Sequence, residues 1–267
     1  MSLSGNLQKM CATITSAGVV DYTLPVGEAT LALNPLLGHR LRIDYDGVIN
    51  CVACGRKTRK SYNQGYCYPC VQRLAECDLC IVSPERCHHG AGTCRDPQWA
   101  EGHCMQPHVV YLSNTSGLKV GITRATQIPT RWIDQGATQA LAILRTGTRR
   151  EAGLIEAALR EHVADRTDWR RMLKGDAEPL ELAEERARLL AACAGACGGE
   201  AIEPVQAEPV CIRYPVLEYP AKATSLSLDK TPVVEDTLVG IKGQYLIFSG
   251  GVLNVRKFAG YHVKVAA

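Results

Sequence analysis

Nine of the thirteen cysteines in this 267-residue chain fall between Cys51 and Cys104. No other feature limits the fold as tightly. In "CVACGRKTRKSYNQGYCYPC", Cys51, Cys54, Cys67 and Cys70 form two C-x2-C knuckles with twelve residues between them. Each knuckle offers two thiolates from one tight turn, and two knuckles complete a tetrahedral four-sulfur shell for zinc. Four protein ligands leave no open position, so the spacing predicts a structural Zn2+ rather than a reactive one. Such a site contributes folding free energy on the order of 10 kcal/mol, enough to hold a segment with few core residues.

The reading requires reduced thiols. The opening stretch "MSLSGNLQKMCATITSAGVV" has neither the basic start nor the long apolar run of a secretory signal. No run of about 18 apolar residues is present to span a membrane. Together these predict a cytoplasmic protein without membrane attachment, in which clustered cysteines bind metal rather than form disulfides.

A second set follows: Cys77, Cys80, Cys87, Cys94 and Cys104, with His88, His89, His103 and His108 nearby. Cys77 and Cys80 form another knuckle, which predicts a second zinc. Spacing does not choose its remaining ligands, and a cross-braced pair of metals is equally open. Cys11, Cys193, Cys197 and Cys211 are scattered and read as structural. Between the first two knuckles, Arg56, Lys57, Arg59, Lys60 and Tyr62 suit phosphate contact, or else form the solvated outer loop of the module.

Hydrophobic content of 46% with 21% charge excludes wholesale disorder. Residues 1–50 alternate as strands in "VVDYTLPVG", "ATLALNP" and "HRLRIDYDGVIN". Residues 211–267 return to strands, with Gly250 and Gly251 between two alternating runs like a hairpin turn. The two β-rich ends are expected to pair into one discontinuous domain, with the rest inserted. A helix is predicted from about Pro179 to Ala194, followed by a Gly- and Pro-broken linker, "GACGGEAIEPVQAEPV".

The middle of the chain carries the charge pattern. From Tyr111 to Arg150 six Lys or Arg face one acid, Asp134, a local basic surface compatible with nucleic acid. "VVYL" and "LKVGIT" flank the turn "SNTSG", and Pro129 to Gly136 frames a short helix carrying Arg131. "QALAIL" supplies a third strand. "TRREAGLIEAALREHV" then opens a helix with Thr148 and Glu151 at capping-box spacing. That spacing explains Glu151 and leaves Glu156 unexplained. At ~100° per residue, Glu156 falls within roughly 40° of Ala152 on the apolar stripe. A carboxylate there costs free energy unless a cation or metal faces it.

A hairpin Tyr, a neighbouring Lys, a helical Arg and an inward Glu resemble the GIY-YIG endonuclease domain of the phage-type branch, over residues 108–175. The first motif is "VVY", ending at Tyr111, and the second is "KVG", beginning at Lys119. The first glycine of the family's opening motif is absent, and Asp168 stands nearest to its late asparagine. The resemblance implies a metal-dependent phosphodiesterase. Tyr111 would help activate a water, Lys119 would assist it, Arg131 would hold the scissile phosphate, and Glu156 would bind Mg2+ or Mn2+. Longer strings, "SYNQGYCYPC", "CDLC", "GTCRDPQW", "KVGITR", "RWIDQGA" and "GIKGQYLIF", resemble the bacterial family known as domain of unknown function 2797.

The expected fold class is α+β: a zinc-ribbon-like module and a GIY-YIG-like α/β domain, with a β-rich domain built from the chain ends. The expected segments are 1–50 (β-rich), 51–107 (zinc-binding), 108–175 (GIY-YIG-like), 176–210 (helix and linker) and 211–267 (β-rich). The expected function is zinc-containing DNA or RNA binding with endonuclease chemistry. Two alternatives stand beside it: a non-catalytic DNA- or RNA-binding module, and a zinc-stabilised protein-interaction scaffold.

Overall fold

The computed structural model describes residues 2–197 and 202–267. The N-terminal stretch forms β1 (Ser2–Asn6), β2 (Cys11–Ile14), β3 (Val20–Val26), β4 (Ala29–Ala32), β5 (Arg40–Asn50) and β6 (Lys57–Thr58). Helices α1 (Tyr68–Arg73) and α2 (Pro97–His103), with short 3-10 turns between them, occupy the cysteine-rich region. Next come β7 (His108–Asn114), β8 (Leu118–Arg124), α3 (Thr130–Asp134), β9 (Gln139–Thr146) and α4 (Arg149–Leu159). Then follow α5 (Trp169–Met172), α6 (Leu182–Ala192), α7 (Ala194–Cys197), β10 (Ile202–Pro204) and β11 (Val210–Cys211). The chain ends with β12 (Val233–Lys242), β13 (Tyr245–Phe248), β14 (Gly251–Asn254) and β15 (Tyr261–Ala266).

The chain divides into two compact units, and the division falls inside the cysteine-rich stretch. The first unit comprises residues 1–72, 173–175 and 212–267. Its main sheet runs β1-β15-β5-β12-β13-β14, with β6 on β5, and a smaller sheet runs β2-β3-β4. All these ladders are antiparallel. Strands from both chain ends therefore share one sheet: β1 lies on β15 from Ser2↔Ala266 to Asn6↔His262. Period-two alternation selects the buried face, since Tyr261, Val263 and Val265 are buried while Lys264 is exposed. The Gln244 side-chain amide completes the core by pairing with the Met10 backbone through both its oxygen (2.8 Å) and its nitrogen (3.0 Å).

The second unit comprises residues 73–172 and 176–211. Its sheet runs β10-β9-β7-β8, with β11 also on β9. One face of β7, β8 and β9 presents Val110, Leu112, Val120, Ile122, Leu141 and Ile143. Ala152, Ile155 and Leu159 of α4 and Leu182 and Leu189 of α6 cover that face. The α4 N-terminus is a complete capping box, with the Thr148 hydroxyl and Glu151 carboxylate each accepting the other's backbone N–H. Tyr111, Lys119 and Gly121 alternate with the core residues and so belong to the opposite face.

Two expectations change here. The helix expected to Ala194 ends at Ala192, with a separate short helix after it. Part of the expected linker is strand, because β10 and β11 pair with the edge of β9. Strands of two or three residues are too short to show alternation in sequence. Residues 198–201 of that linker lie outside the described residues.

Candidate metal centres and a central basic site

The first knuckle occupies the turn between β5 and β6, whose pairing through Ile49↔Thr58 and Asn50↔Lys57 closes it. The second knuckle leads into α1, which carries Cys70. The four sulfurs of Cys51, Cys54, Cys67 and Cys70 all lie within 4.8 Å of one another, and Cys54 and Cys67 are 3.8 Å apart. Zinc–sulfur bonds of ~2.3 Å in a tetrahedron place sulfurs about 3.8 Å apart, so the cluster already has the size of a zinc shell. Burial pushes the Cys51 thiol up, but backbone N–H groups of Cys67, Cys54 and Ala53 outweigh it and bring the group down to about 6. Burial and the neighbouring thiols push Cys70 up to about 12. Four thiols at such spacing lack positive charge, which is what a dication supplies.

In the second unit, Cys80, Cys87, Cys94 and Cys104 line one small cavity together with Asp78 and His88. Of these, the ligand atoms of Asp78, Cys80 and His88 lie within 4.8 Å of one another. Burial and the Asp78 carboxylate push Cys80 up to about 12. Cys77 is buried but does not line the cavity. Of the expected Cys77–Cys80 knuckle, Cys80 alone is among the residues that line it.

In the central basic site, Tyr111 and Lys119 lie on the hairpin face opposite the core, while Glu156 belongs to α4 on the core side. Tyr111 is fully buried, donates its hydroxyl hydrogen to Gln135 Oε1 at 2.9 Å, and packs edge-on against Trp132 at 6.1 Å between ring centres. Burial pushes the Tyr111 phenol up, and Arg131 offsets this only in part. The sequence had placed Lys119 as the cation acting on Tyr111. The structure gives that place to Arg131, and the phenol remains a proton donor. Lys119 is itself buried, with Nζ 3.5 Å from Thr167 Oγ1. Burial, with Arg131 beside it, brings Lys119 down to about 8 against the pull of Glu156 and Asp165.

Glu156 is half-buried on α4, and its carboxylate joins no ion pair among the described residues. Burial pushes it above the ordinary carboxylate range, with Arg160, Arg149 and Lys119 pulling the other way and Asp165 adding to the rise. The segment after α4 brings Asp165 to this place by running beside β8, where Val120 N–H donates to Ala164 O at 2.9 Å. Of the sequence-expected residues, Arg131 and Glu156 both act electrostatically on Tyr111 and on Lys119. Asp168 does not join them, because its carboxylate accepts the backbone N–H groups of Arg170 and Arg171 at the start of α5.

Sequence reading missed Arg149 and Gln135. Arg149 donates through Nη2 to Ile81 O at 2.7 Å, and its buried Nε has no hydrogen-bond partner among the described residues. Its position at the first turn of a capped helix was the available signal. Gln135 follows α3 directly and carried no signal at all.

The family model described as "Protein of unknown function (DUF2797)" matches residues 38–263. No curated protein and no solved structure matches the chain. The protein belongs to the DUF2797 family. No described helix is long and apolar enough to cross a membrane.

Proposed function

We propose that this DUF2797 member binds nucleic acid, DNA or RNA, and that its central unit is a GIY-YIG-type site that cleaves a phosphodiester. The observation that carries the reading is Glu156: a half-buried carboxylate in no ion pair among the described residues, felt electrostatically by Lys119, Arg149 and Arg160 as well as Asp165. A site built only to grip phosphate is weakened by a negative charge at its centre. Retaining one there would be accounted for if Glu156 held a divalent cation, whose charge would offset both acid and phosphate.

Arg131 and Arg149 present planar donor forks that match phosphate oxygens, and Lys119 adds a point charge. Tyr111, protonated and tied to Gln135, holds the arginine-bearing helix against the hairpin. Glu156 is the residue that would hold Mg2+ or Mn2+, ions that bind through one or two carboxylates plus substrate phosphates. Such an ion supplies neutralisation of developing oxyanion charge and acidification of water. In the first unit, exposed Arg56, Lys57, Arg59 and Lys60 beside Tyr62 and Tyr68 offer backbone contacts and stacking faces. The first Cys cluster is read as their zinc-bound support.

The test is incubation of zinc-loaded protein with labelled single- and double-stranded DNA and RNA, with and without Mg2+ or Mn2+. The reading expects divalent-dependent cleavage and binding that weakens steeply with salt. Salt-sensitive binding without cleavage under any condition leaves the non-catalytic module. Tyr111's raised pKa is the observation that favours that second reading. No salt-sensitive binding leaves the scaffold.

A further inference from the structure

Residues 75–104 form a segment with almost no apolar core. Among its described residues the buried apolar or thiol side chains are Ala75, Cys77, Pro84, Ala100 and Cys104, while Leu79 and Val82 are 56% and 75% exposed. Its backbone runs through successive 3-10 turns, Ala75–Cys77, Leu79–Ile81, Pro84–Arg86 and His89–Ala91. A stretch of this length with so little buried apolar surface requires a cross-link or a metal to hold one conformation. Four of its cysteines, Cys80, Cys87, Cys94 and Cys104, line the small cavity at its centre.

We infer that Cys80, Cys87, Cys94 and Cys104 bind a second structural zinc, and that Cys77, Asp78 and His88 are not ligands. The non-thiol candidates Asp78 and His88 already have partners, and His89, which also lines the cavity, faces Glu101 at 3.5 Å. Asp78 is held by Arg95 at 2.6 Å and accepts the Cys80 backbone N–H at 3.2 Å. His88 shares a hydrogen bond between Nδ1 and Thr93 Oγ1 at 2.9 Å, and its Nε2 faces Asp78 at 3.5 Å. These contacts form an outer ring that orients the Cys80 loop and leaves the four thiols as ligands. Outer partners of this kind fix the geometry of the residues that touch a metal. Cys77 is buried and does not line the cavity.

The same loops grip the start of α4. Arg149 N–H donates to Cys104 O at 2.8 Å, and its guanidinium donates to Ile81 O at 2.7 Å. Gly153 lies so close to the Pro84 turn that a Cβ would fall 2.5 Å from Pro84 Cβ. The second zinc thereby positions the helix that carries Arg149 and Glu156. This consequence rests on the central site as read above, but the ligand assignment does not.

The experiment is zinc stoichiometry on protein made under zinc-replete, reducing conditions, together with X-ray absorption at the zinc edge. Two zinc ions per chain are expected for the full chain, with four sulfur ligands per zinc at ~2.3 Å and no nitrogen or oxygen shell. Cys80→Ser, Cys87→Ser, Cys94→Ser and Cys104→Ser should each retain one zinc, and Cys77→Ser and His88→Gln should retain two. One zinc in the unsubstituted chain, a nitrogen or oxygen shell, or loss of zinc from Cys77→Ser overturns the assignment. If a ligand variant does not fold, the absorption spectrum of the unsubstituted chain and the Cys77→Ser count still decide. Neither readout depends on nuclease activity, so failure here and failure of the phosphodiesterase reading are separable.

Discussion

Tyr111 and Gly121 stand opposite each other in the β7–β8 ladder, and the tyrosine ring lies across the glycine. A Cβ on residue 121 would fall 2.6 Å from the phenol oxygen and 2.7 Å from the ring carbon that bears it. The ring has little room to yield, because it is fully buried and its hydroxyl is tied to Gln135. The small residue in "KVG" is thus a seat for the tyrosine in "VVY".

Gly121→Ala should therefore displace Tyr111 and loosen the helix behind it. Overpacking of this kind costs about 1–3 kcal/mol, which a denaturant titration would show as a lower midpoint at unchanged slope. Nucleic-acid affinity should fall with it, since Arg131 loses its support. Wild-type stability in this variant would mean that the ring moves aside freely.

Removing a ligand from the first cysteine cluster should have a local and a global effect. Cys51→Ser is expected to lower zinc from two to one per chain and to expose residues 51–70 to proteolysis. An unchanged zinc content would remove Cys51 from the shell, despite the sub-4.8 Å grouping of the four sulfurs.

The degree to which the sequence reveals this protein differs by residue. Cys51, Cys54, Cys67 and Cys70 are legible because knuckle spacing is itself the geometry: two thiols three positions apart share a turn. Glu151 and Glu156 are separable because capping and helical phase are both local rules. The second cysteine set is different. Which of Cys77, Cys80, Cys87, Cys94 and Cys104 converge depends on how several 3-10 turns stack, and no periodicity encodes that. The state of Tyr111 was not legible. Its protonation follows from complete burial, which Arg131 arriving on α3 offsets only in part, and both are consequences of packing rather than of neighbours in sequence. The strands β10 and β11 were hidden because edge pairing onto β9 needs no pattern of its own.

Lys119 gives the site a pH dependence of definite sign. The groups facing it are Arg131 from α3, Glu156 from α4 and Asp165 from the following segment, and the balance brings it from 10.5 down to about 8. Between about 8 and 10.5 the unfolded chain binds the proton that the folded chain releases, so this group makes stability rise with pH across that window. Phosphate binding runs the other way, because the neutral amine attracts no anion. Nucleic-acid affinity should fall as pH rises through about 8. Lys119→Arg, charged throughout, should flatten that fall; a pH profile identical to that of the unsubstituted chain would assign the titration to another group.

The substitution that decides between enzyme and binding module is Glu156→Gln. The amide keeps the side chain's shape and removes the charge that would hold a divalent cation. Cleavage should drop by at least ~10²-fold, the scale seen when one preorganised electrostatic group is lost. Fold should survive, because burial already disfavours this carboxylate's charged form and a neutral amide carries no such cost. Binding should survive as well, and in the absence of divalent cations it should tighten, since Lys119, Arg149 and Arg160 lose an acid in their midst. Glu151→Gln is the matched control on the same helix: its carboxylate serves the Thr148 cap at 2.8 Å, so the variant should weaken capping slightly and leave cleavage intact. Arg131→Ala should weaken binding and lower the salt slope by roughly 0.9 if it contacts one duplex phosphate. Equal effects of the two glutamate substitutions on cleavage would show that α4 matters as a structural element and that neither carboxylate holds the cation.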